Sequence, residues 1–344
     1  MKTSRQVNFF DYGAVFAQRR EVYLKIFDDV LSRGAFIMQA DLAEFERKLA
    51  DYLGVRHAIG LADGTMALIA GLAAAGVRAG DEVIIPSHTF VASAGAAHFL
   101  GAIPVLADCG QDHLVDPESI GRMITPKTKA VMPVQLNGRT CRMDEIMGIA
   151  HRHELVVVED SCQSLGAQYK GKFAGTFGAA GAFSFYPAKT LGSFGDGGAL
   201  VTNDDDIAAK VRLFRDHGRD QNGDVQSWGL NSRLDNVQAA ILGHKLDHYH
   251  EDIARRRALA ALYNEQLVEI EALKLPPGPS DNPEYFDIYQ NYEIEADRRD
   301  ELRDYLFGLG VKTILQWGGR TLHQFPALGL AGDVKNTEEL TKRF

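Results

Sequence analysis

Three short segments carry residue types that could do chemistry together. Asp160 follows the apolar run 155–158, and a carboxylate at the end of a buried strand is costly unless it is paired. Lys189 closes an aromatic and glycine-rich segment that holds no run of charges, and a desolvated lysine amine can form a Schiff base with an aldehyde. Gly64 and Thr65 open a helical pattern, and the free N–H groups of a helix start suit a phosphate. Pyridoxal 5′-phosphate (PLP) has three groups that match these segments. Its ring nitrogen pairs with an acid, its aldehyde reacts with an amine, and its phosphate fits the start of a helix.

Each segment also has a plainer interpretation. Asp63 or Thr65 could simply cap a helix, because capping signatures are common. Asp160 could cap the turn after it, and Lys189 could be a surface lysine whose stem packs on apolar neighbours. The glycine-rich stretch 190–198 is neither a P-loop nor a dinucleotide fingerprint, since G-x-x-x-x-G-K-[ST] and G-x-G-x-x-G are both absent there. Only the combination of the three segments favours PLP.

The three segments stand next to predicted strands. Nearly continuous apolar runs alternate with helical patterns, which predicts a largely parallel sheet covered on both faces. The strand-like runs are 58–61, 82–85, 103–106, 130–134 and 155–158, with shorter ones at 181–185 and 198–202. The helical patterns between them are 65–75, 90–100 and 143–153. Because ligands bind beyond the carboxyl ends of such strands, we expect the three segments to meet at that edge.

The last third of the chain has a different pattern. A long helical stretch covers 235–271 and is followed by the proline and glycine cluster 276–279. A strand-like stretch at 291–295 and a helical one at 298–309 come next, which indicates a smaller α+β domain. The predicted domains are a large cofactor-binding one at 1–247 and a small C-terminal one at 248–344.

Composition excludes several classes of protein. Of the 344 residues 45% are hydrophobic, which is too many for a disordered chain. The 46 acidic and 37 basic residues give a net charge of −9, so we expect no nucleic-acid partner. Cys109, Cys141 and Cys162 are odd in number without a close pair, which argues against a disulfide framework and against a zinc site.

Metal and membrane signals are weak. His244 and His248 stand one helical turn apart, but that spacing alone does not make a metal site, and we expect no metal. No apolar run approaches the length that spans a bilayer, and residues 1–12 lack the apolar core of a signal peptide. We therefore predict a cytoplasmic protein with no membrane partner.

Several motifs resemble the DegT/DnrJ family of PLP-dependent sugar aminotransferases. The strongest is VEDSCQSLGAQYKGK at 158–172, continued by GTFG at 175–178 and FSFYPAK at 183–189. Further matches are GDEVIIP at 80–86, GAIPV at 101–105, NSRLD at 231–235 and QAA at 238–240. The order and spacing of these motifs agree with the family from about residue 35 to residue 250.

The resemblance implies an aspartate-aminotransferase-type fold (fold type I) with a mostly parallel seven-stranded sheet, working as a homodimer with shared active sites. Lys189 would form the Schiff base and move the proton, and Asp160 would pair with the pyridine nitrogen. The remaining implied roles belong to Gln163 beside the 3′-oxygen, Phe90 on the ring, Gly64, Thr65 and Ser184 on the phosphate, and Asn231 reaching the phosphate of the neighbouring subunit. The chain is also expected to lack the closing segment of the family.

The activity implied is transfer of an amino group from L-glutamate to a keto-sugar, with PLP and its amino form PMP as the two cofactor states. The expected acceptor is a nucleotide-linked 3- or 4-keto-6-deoxy sugar. A keto-cyclitol acceptor and a non-catalytic regulator or binding protein with the same fold stay open. A PMP-dependent dehydratase of the family carries histidine in place of the lysine, so Lys189 argues against that activity.

Four positions depart from the family pattern. Asp63 replaces a common serine, and we expect it to act as a helix cap, since like charges repel beside a phosphate. Gln135 and Asn137 stand where His and Tyr are frequent, and Gln316 stands where His is frequent. Some of these positions are expected to line the substrate pocket, so the sugar itself stays undetermined.

Overall fold

A seven-stranded sheet forms the centre of the computed structural model, which describes residues 6–344. The start of the predicted domain 1–247, and part of the N-terminal stretch 1–12, lie outside the described residues. The strands of the chain are β1 (His57–Leu61), β2 (Glu82–Pro86), β3 (Ile103–Ala107), β4 (Thr128–Val131), β5 (Val156–Asp160), β6 (Gln168–Tyr169), β7 (Lys172–Phe173), β8 (Ala180–Ser184), β9 (Gly198–Thr202), β10 (Leu273–Lys274), β11 (Tyr285–Phe286) and β12 (Glu295–Ala296).

Helices flank this sheet and continue into the C-terminal region. They are α1 (Tyr12–Gln18), α2 (Arg20–Ser32), α3 (Ala40–Leu53), α4 (Gly64–Ala74), α5 (Val91–Phe99), α6 (Pro117–Met123), α7 (Met143–Arg152), α8 (Asp205–Arg215), α9 (Asn236–Asp247), α10 (Tyr249–Leu267), α11 (Arg299–Gly308) and α12 (Lys335–Leu340). Three short 3₁₀ turns, Gln316–Gly318, Leu322–Gln324 and Pro326–Leu328, lie before α12.

The strand order across the sheet is β1-β9-β8-β5-β4-β2-β3. All neighbours from β8 to β3 pair in parallel, whereas β9 is antiparallel to both β1 and β8. The predicted mostly parallel sheet is therefore confirmed. The chain reverses direction between β8 and β9, at the edge of the sheet where the parallel strands end. Lys189 lies in this connecting segment.

The sheet is buried on both faces, as the apolar runs predicted. Ile84, Ile85 and Val158 have no exposed surface, and the helices that cover them present small residues. Burying branched side chains of this size contributes roughly 1.5–3 kcal/mol each. A sheet so constrained holds the ends of its strands in fixed positions relative to one another.

The predicted helix 235–271 is wrong in one respect, because it is two helices. The chain leaves helical geometry at His248 (φ −113°, ψ 5°), and α10 begins at the next residue. Tyr249 is fully buried there, and its hydroxyl donates to the carbonyl of Leu165 at 2.7 Å. The break thus coincides with the burial of Tyr249 at the start of α10, while α9 packs on α3.

The C-terminal region is less regular than expected. The stretch 291–295 forms a strand only from Glu295 onward, whereas α11 nearly matches the predicted helix 298–309. Strand β11 pairs with β6, which ties this region to the segment that follows Asp160. The boundary at 247–248 coincides with the helix break but stays a prediction.

Within residues 6–344 no helix is long and apolar enough to cross a membrane. The same residues contain no group of three or more His, Cys, Asp or Glu side chains that could hold a metal ion. The three cysteines are all free thiols.

Candidate active site

Asp160 ends β5 and is 5% exposed. Its Oδ2 accepts a hydrogen bond from the hydroxyl of Ser93 at 2.7 Å, and Ser93 in turn contacts the hydroxyl of Thr89 at 2.7 Å. Its Oδ1 accepts from the backbone N–H of Cys162 at 3.2 Å. The local turn contact of the plainer interpretation is thus present, but it occupies only one oxygen. The other is held by a helix that is distant in sequence.

Gly64 begins α4 directly beside the end of β8. A Cβ atom at this position would lie 2.8 Å from both Cys162 Sγ and Ser184 Cβ, so only glycine allows the helix start to approach so closely. Asp63 accepts the N–H of Met66 at 2.8 Å, which confirms its expected role as a cap. The free N–H groups at this helix start therefore lie next to Ser184.

Lys189 shares a small cavity with residues that follow Asp160. Cys162, Gln163, Ser184 and Lys189 all line it. Burial and the charge of Asp160 raise the pKa of the Cys162 thiol, and the charge of Lys189 opposes this shift. Cys162 is therefore a common neighbour of the carboxylate, the amine and the helix start, all of which lie beyond the carboxyl ends of β5 and β8 or at the start of α4.

Two predicted residues lie farther out. Phe90 immediately precedes α5, the helix that carries Ser93, and its ring is exposed. Asn231 is exposed and forms a bridge with Asp216, three residues after the fully exposed indole of Trp228. Thr65 follows Gly64 and is partly buried.

The departure at Gln135 supports the strand rather than a substrate. Its Nε2 donates to the buried Glu159 carboxylate at 2.7 Å, and its Oε1 accepts the N–H of Cys141 at 2.6 Å. Glu159 also accepts backbone N–H groups of Gly175 and Phe177. Burial raises the pKa of Glu159, and these donors act against the rise. The expectation that this position lines the substrate pocket is not supported by these contacts.

Asn137 and Gln316, two of the residues that depart from the family pattern, are hydrogen-bonded to each other. Asn137 has a left-handed backbone (φ 57°), and its N–H donates to Oε1 of Gln163 at 2.8 Å. Its side-chain oxygen accepts from Gln316 at 2.6 Å, and its amide donates to Glu293 at 2.5 Å. Sequence reasoning missed Glu293. The only signal in the sequence was that Asn137 and Gln316, which both depart from the family pattern, both carry a side-chain amide.

His113 extends this network toward the C-terminal region. Its Nδ1 lies 2.8 Å from Glu293 and its Nε2 lies 3.0 Å from Glu295. Burial lowers the pKa of His113, but the two carboxylates outweigh it and raise the pKa to about 9. Burial raises the pKa of Glu295, while His113 and Lys274 together bring it down to about 2. His113 thus carries a positive charge at neutral pH that holds two segments together.

This pair of contacts predicts a pH-dependent stability. Because the pKa of His113 is raised from 6.5 to about 9, its stabilising contribution is complete below pH ~6.5 and disappears as the pH rises to about 9. The shift corresponds to up to about 3 kcal/mol in the free energy of unfolding. Denaturant unfolding measured between pH 6 and 10 should show this decrease in the wild type.

The matched variants are His113→Gln, which should lose most of the decrease, and His153→Gln at an exposed position, which should keep it. A His113→Gln protein whose stability follows the wild-type pH profile would show that the two carboxylates do not hold an imidazolium.

The model of the DegT/DnrJ/EryC1/StrS aminotransferase family matches residues 18–344. The chain therefore belongs to this family of PLP-dependent aminotransferases, and the resemblance found in its motifs is confirmed. The fold type implied by that resemblance is confirmed as well, since the chain has the expected seven-stranded sheet and matches solved aminotransferase structures of this family over nearly its whole length.

Three comparisons define the likeness. The dTDP-3-amino-3,4,6-trideoxy-α-D-glucose transaminase of Streptomyces venezuelae is 38% identical over 314 residues, which are 91% of this chain and 82% of the relative. The structure of DesV from S. venezuelae with a ketimine intermediate has a TM-score of 0.94 at 36% identity, covering 98% of this chain and 91% of DesV. NtdA from Bacillus subtilis, solved with bound PMP, has a TM-score of 0.89 at 30% identity, covering 100% of this chain and 80% of NtdA.

Proposed function

We propose that the protein uses PLP to transfer the amino group of L-glutamate to a nucleotide-linked keto-sugar. The proposed acceptor is a 3- or 4-keto-6-deoxy sugar. The observation that carries the proposal is the convergence of Asp160, Lys189 and the start of α4 at one edge of the sheet. The name of the S. venezuelae relative supports a nucleotide-linked acceptor. A cytoplasmic location stays a prediction.

The residues present fit PLP. The close approach of Gly64 to Ser184 leaves backbone N–H groups and a hydroxyl beside each other, which suits a phosphate. Asp160 is a buried carboxylate that accepts hydrogen bonds from a hydroxyl and from a backbone N–H. Within residues 6–344 none of its hydrogen-bond partners is a cation. A protonated ring nitrogen would therefore balance its negative charge. Bound PLP supplies an aldehyde for amines and a ring that absorbs the electrons of a carbanion.

The chain's own groups then have distinct tasks. The Asp160 carboxylate keeps a proton on the ring nitrogen, and Ser93 holds that carboxylate in place. The Lys189 amine anchors the cofactor and, when substrate displaces it, carries the proton to and from the substrate carbon as a general acid and base. Gln163, whose Oε1 accepts the N–H of Asn137, would lie beside the 3′-oxygen of bound PLP.

The acceptor is tested by supplying ¹⁵N-glutamate with keto-sugar nucleotides or with keto-cyclitols. We expect label in the sugar nucleotide. Transfer to cyclitols alone would refute the sugar-nucleotide acceptor and leave the transamination chemistry in place. A protein that labels neither acceptor, and does not deaminate glutamate, would favour the non-catalytic alternative.

We further propose a homodimer in which Asn231 reaches the phosphate site of the partner subunit. The support is its exposed position three residues after Trp228, which is 99% exposed, and the exposure of Phe90 and Tyr186, which are close in sequence to Ser93 and Lys189. Apolar side chains exposed together mark protein contact surfaces.

Asn231→Ala should therefore weaken PLP retention by roughly tenfold, which is the loss of one hydrogen bond to a charged group. At a PLP concentration too low to load Asn231→Ala by itself, mixing this variant with Lys189→Ala should restore up to about a quarter of the wild-type activity, because half of randomly paired dimers then hold one complete site out of two. Demonstrated subunit exchange without any recovered activity would contradict the shared site.

A further inference from the structure

Gln290 links the C-terminal region to the two residues that flank Lys189. Its Oε1 accepts the N–H and the hydroxyl of Thr190, each at 2.7 Å. Its Nε2 donates to the carbonyl of Ala188 at 2.9 Å. One side chain therefore bonds the backbone immediately before and immediately after the lysine.

Gln290 is itself held from two sides. Arg256 of α10 donates through Nη1 to the carbonyls of Tyr289 and Gln290, at 3.0 and 3.1 Å. Gly138 (φ +90°) lies so close that a Cβ atom there would be 2.7 Å from the backbone nitrogens of both Tyr289 and Gln290. The left-handed Tyr289 (φ 52°) is buried, and its hydroxyl donates to Pro277. The side chain of Gln290 thus extends from a rigid backbone.

Beyond Thr190 the loop is also held by the buried side chain of Leu191 and by Lys245, which donates to the carbonyl of Gly192, but these contacts lie on one side of the lysine only. The N–H of Lys189 donates to the carbonyl of Tyr186 at 2.8 Å, which closes a turn within the loop but does not attach it to the rest of the molecule. Gln290 is the side chain that bonds the neighbours of Lys189 on both sides, at Ala188 and at Thr190. Reacting groups must be held closely, since a displacement of about 1 Å can reduce a rate by about 100-fold.

We infer that Gln290 is a positioning residue for the Lys189 amine, acting through Ala188 and Thr190. The inference rests on the proposed role of Lys189. It also assigns a function to the C-terminal region, which supplies the residue that sets where the amine lies.

The test uses Gln290→Met, which keeps the length of the side chain and removes all three hydrogen bonds. On adding PLP to cofactor-free protein, the visible band of lysine-bound PLP should form roughly 10- to 100-fold more slowly than in wild type. The single-turnover rate with glutamate should fall by a similar factor, with little change in the glutamate concentration for half-saturation. Hydrogen exchange of the Thr190 amide in cofactor-free protein should accelerate, since its acceptor is gone.

Two further variants separate positioning from general loosening. Gln290→Glu keeps an acceptor for Thr190 and loses the donor to Ala188, so exchange at Thr190 should stay slow while band formation is intermediate. Gln324→Met removes a side-chain amide that contacts the Thr321 backbone, and should leave band formation within about twofold of wild type.

Wild-type rates and wild-type exchange in Gln290→Met would overturn the inference while the proposed function stands. A wild-type protein that forms no band with PLP would overturn the proposed function instead. In that case the hydrogen bond between Gln290 and Thr190 can still be tested separately. Unchanged exchange of the Thr190 amide in Gln290→Met would refute it.

Discussion

Lys189→Ala should abolish the visible band of lysine-bound PLP and lower the rate of transamination by at least about 1,000-fold. Two tasks are lost at once, because the same amine anchors the cofactor and moves the proton, and general acid–base catalysis alone contributes 10²–10⁴-fold. The measurement is the absorption spectrum of the variant with added PLP, together with mass spectrometry of borohydride-reduced protein. In the wild type the reduced adduct should map to the peptide that contains Lys189.

A competing amine provides the sharpest control. Burial lowers the pKa of Lys245 to about 8, and its Nζ lies 4.3 Å from the ring of Phe194 in the segment that follows Lys189. The lowered pKa makes the Lys245 amine a plausible competitor for the aldehyde, whereas geometry favours Lys189. Lys245→Arg should keep the band and the adduct. An adduct on Lys245, or a band that persists in Lys189→Ala, would contradict the assignment.

Asp160→Asn should lower turnover by about 100-fold or more while the protein still binds PLP. The amide has the shape of the carboxylate and can keep the hydrogen bond from Ser93, but it cannot stabilise a positive charge on a ring nitrogen. Loss of one preorganised electrostatic partner costs enzymes about 10²–10³-fold in rate. Single-turnover kinetics with glutamate, compared at matched PLP occupancy, measure the effect.

Ser93→Ala gives a graded comparison for Asp160. It removes one hydrogen bond to the carboxylate and leaves the charge, so the rate should fall by only about tenfold, as expected for a bond to a charged group. A decrease in Asp160→Asn no greater than that in Ser93→Ala would show that the charge of Asp160 does not act on the reaction.

The sequence was sufficient where a local rule determines position. Asp160 and Lys189 could be placed in one site because parallel strands bring their carboxyl ends to one edge. Asp63 could be assigned as a cap because its acceptor and the N–H of Met66 lie three residues apart. The apolar run 198–202 predicted a strand, but its direction was not readable, since burial on both faces leaves the same pattern for either direction.

The contacts that the sequence could not predict are polar and long-range. Gln290 reaches Thr190 across 100 residues, and Gln316 reaches Asn137 across 179. Amide side chains produce no periodic signal, and their partners are fixed only when the whole chain is folded. His113, which looks like an ordinary loop histidine in the sequence, acquires its charge from two carboxylates more than 170 residues away.

These unpredicted contacts share a location. Asn137 holds Gln163, and Gln290 holds the residues on both sides of Lys189. In both cases the C-terminal region supplies the support. Glu293 accepts a hydrogen bond from the side chain of Asn137, and Arg256 donates to the backbone carbonyl of Gln290. The large sheet thus brings the reactive groups together, and the C-terminal region fixes where two of them lie.

The most direct test of the central proposal is the spectrum of the purified, PLP-loaded protein during a titration with L-glutamate. We expect the band of lysine-bound PLP to disappear with formation of one equivalent of 2-oxoglutarate per subunit, and to return when a keto-sugar nucleotide is added. A loaded protein whose band does not respond to glutamate would contradict the account.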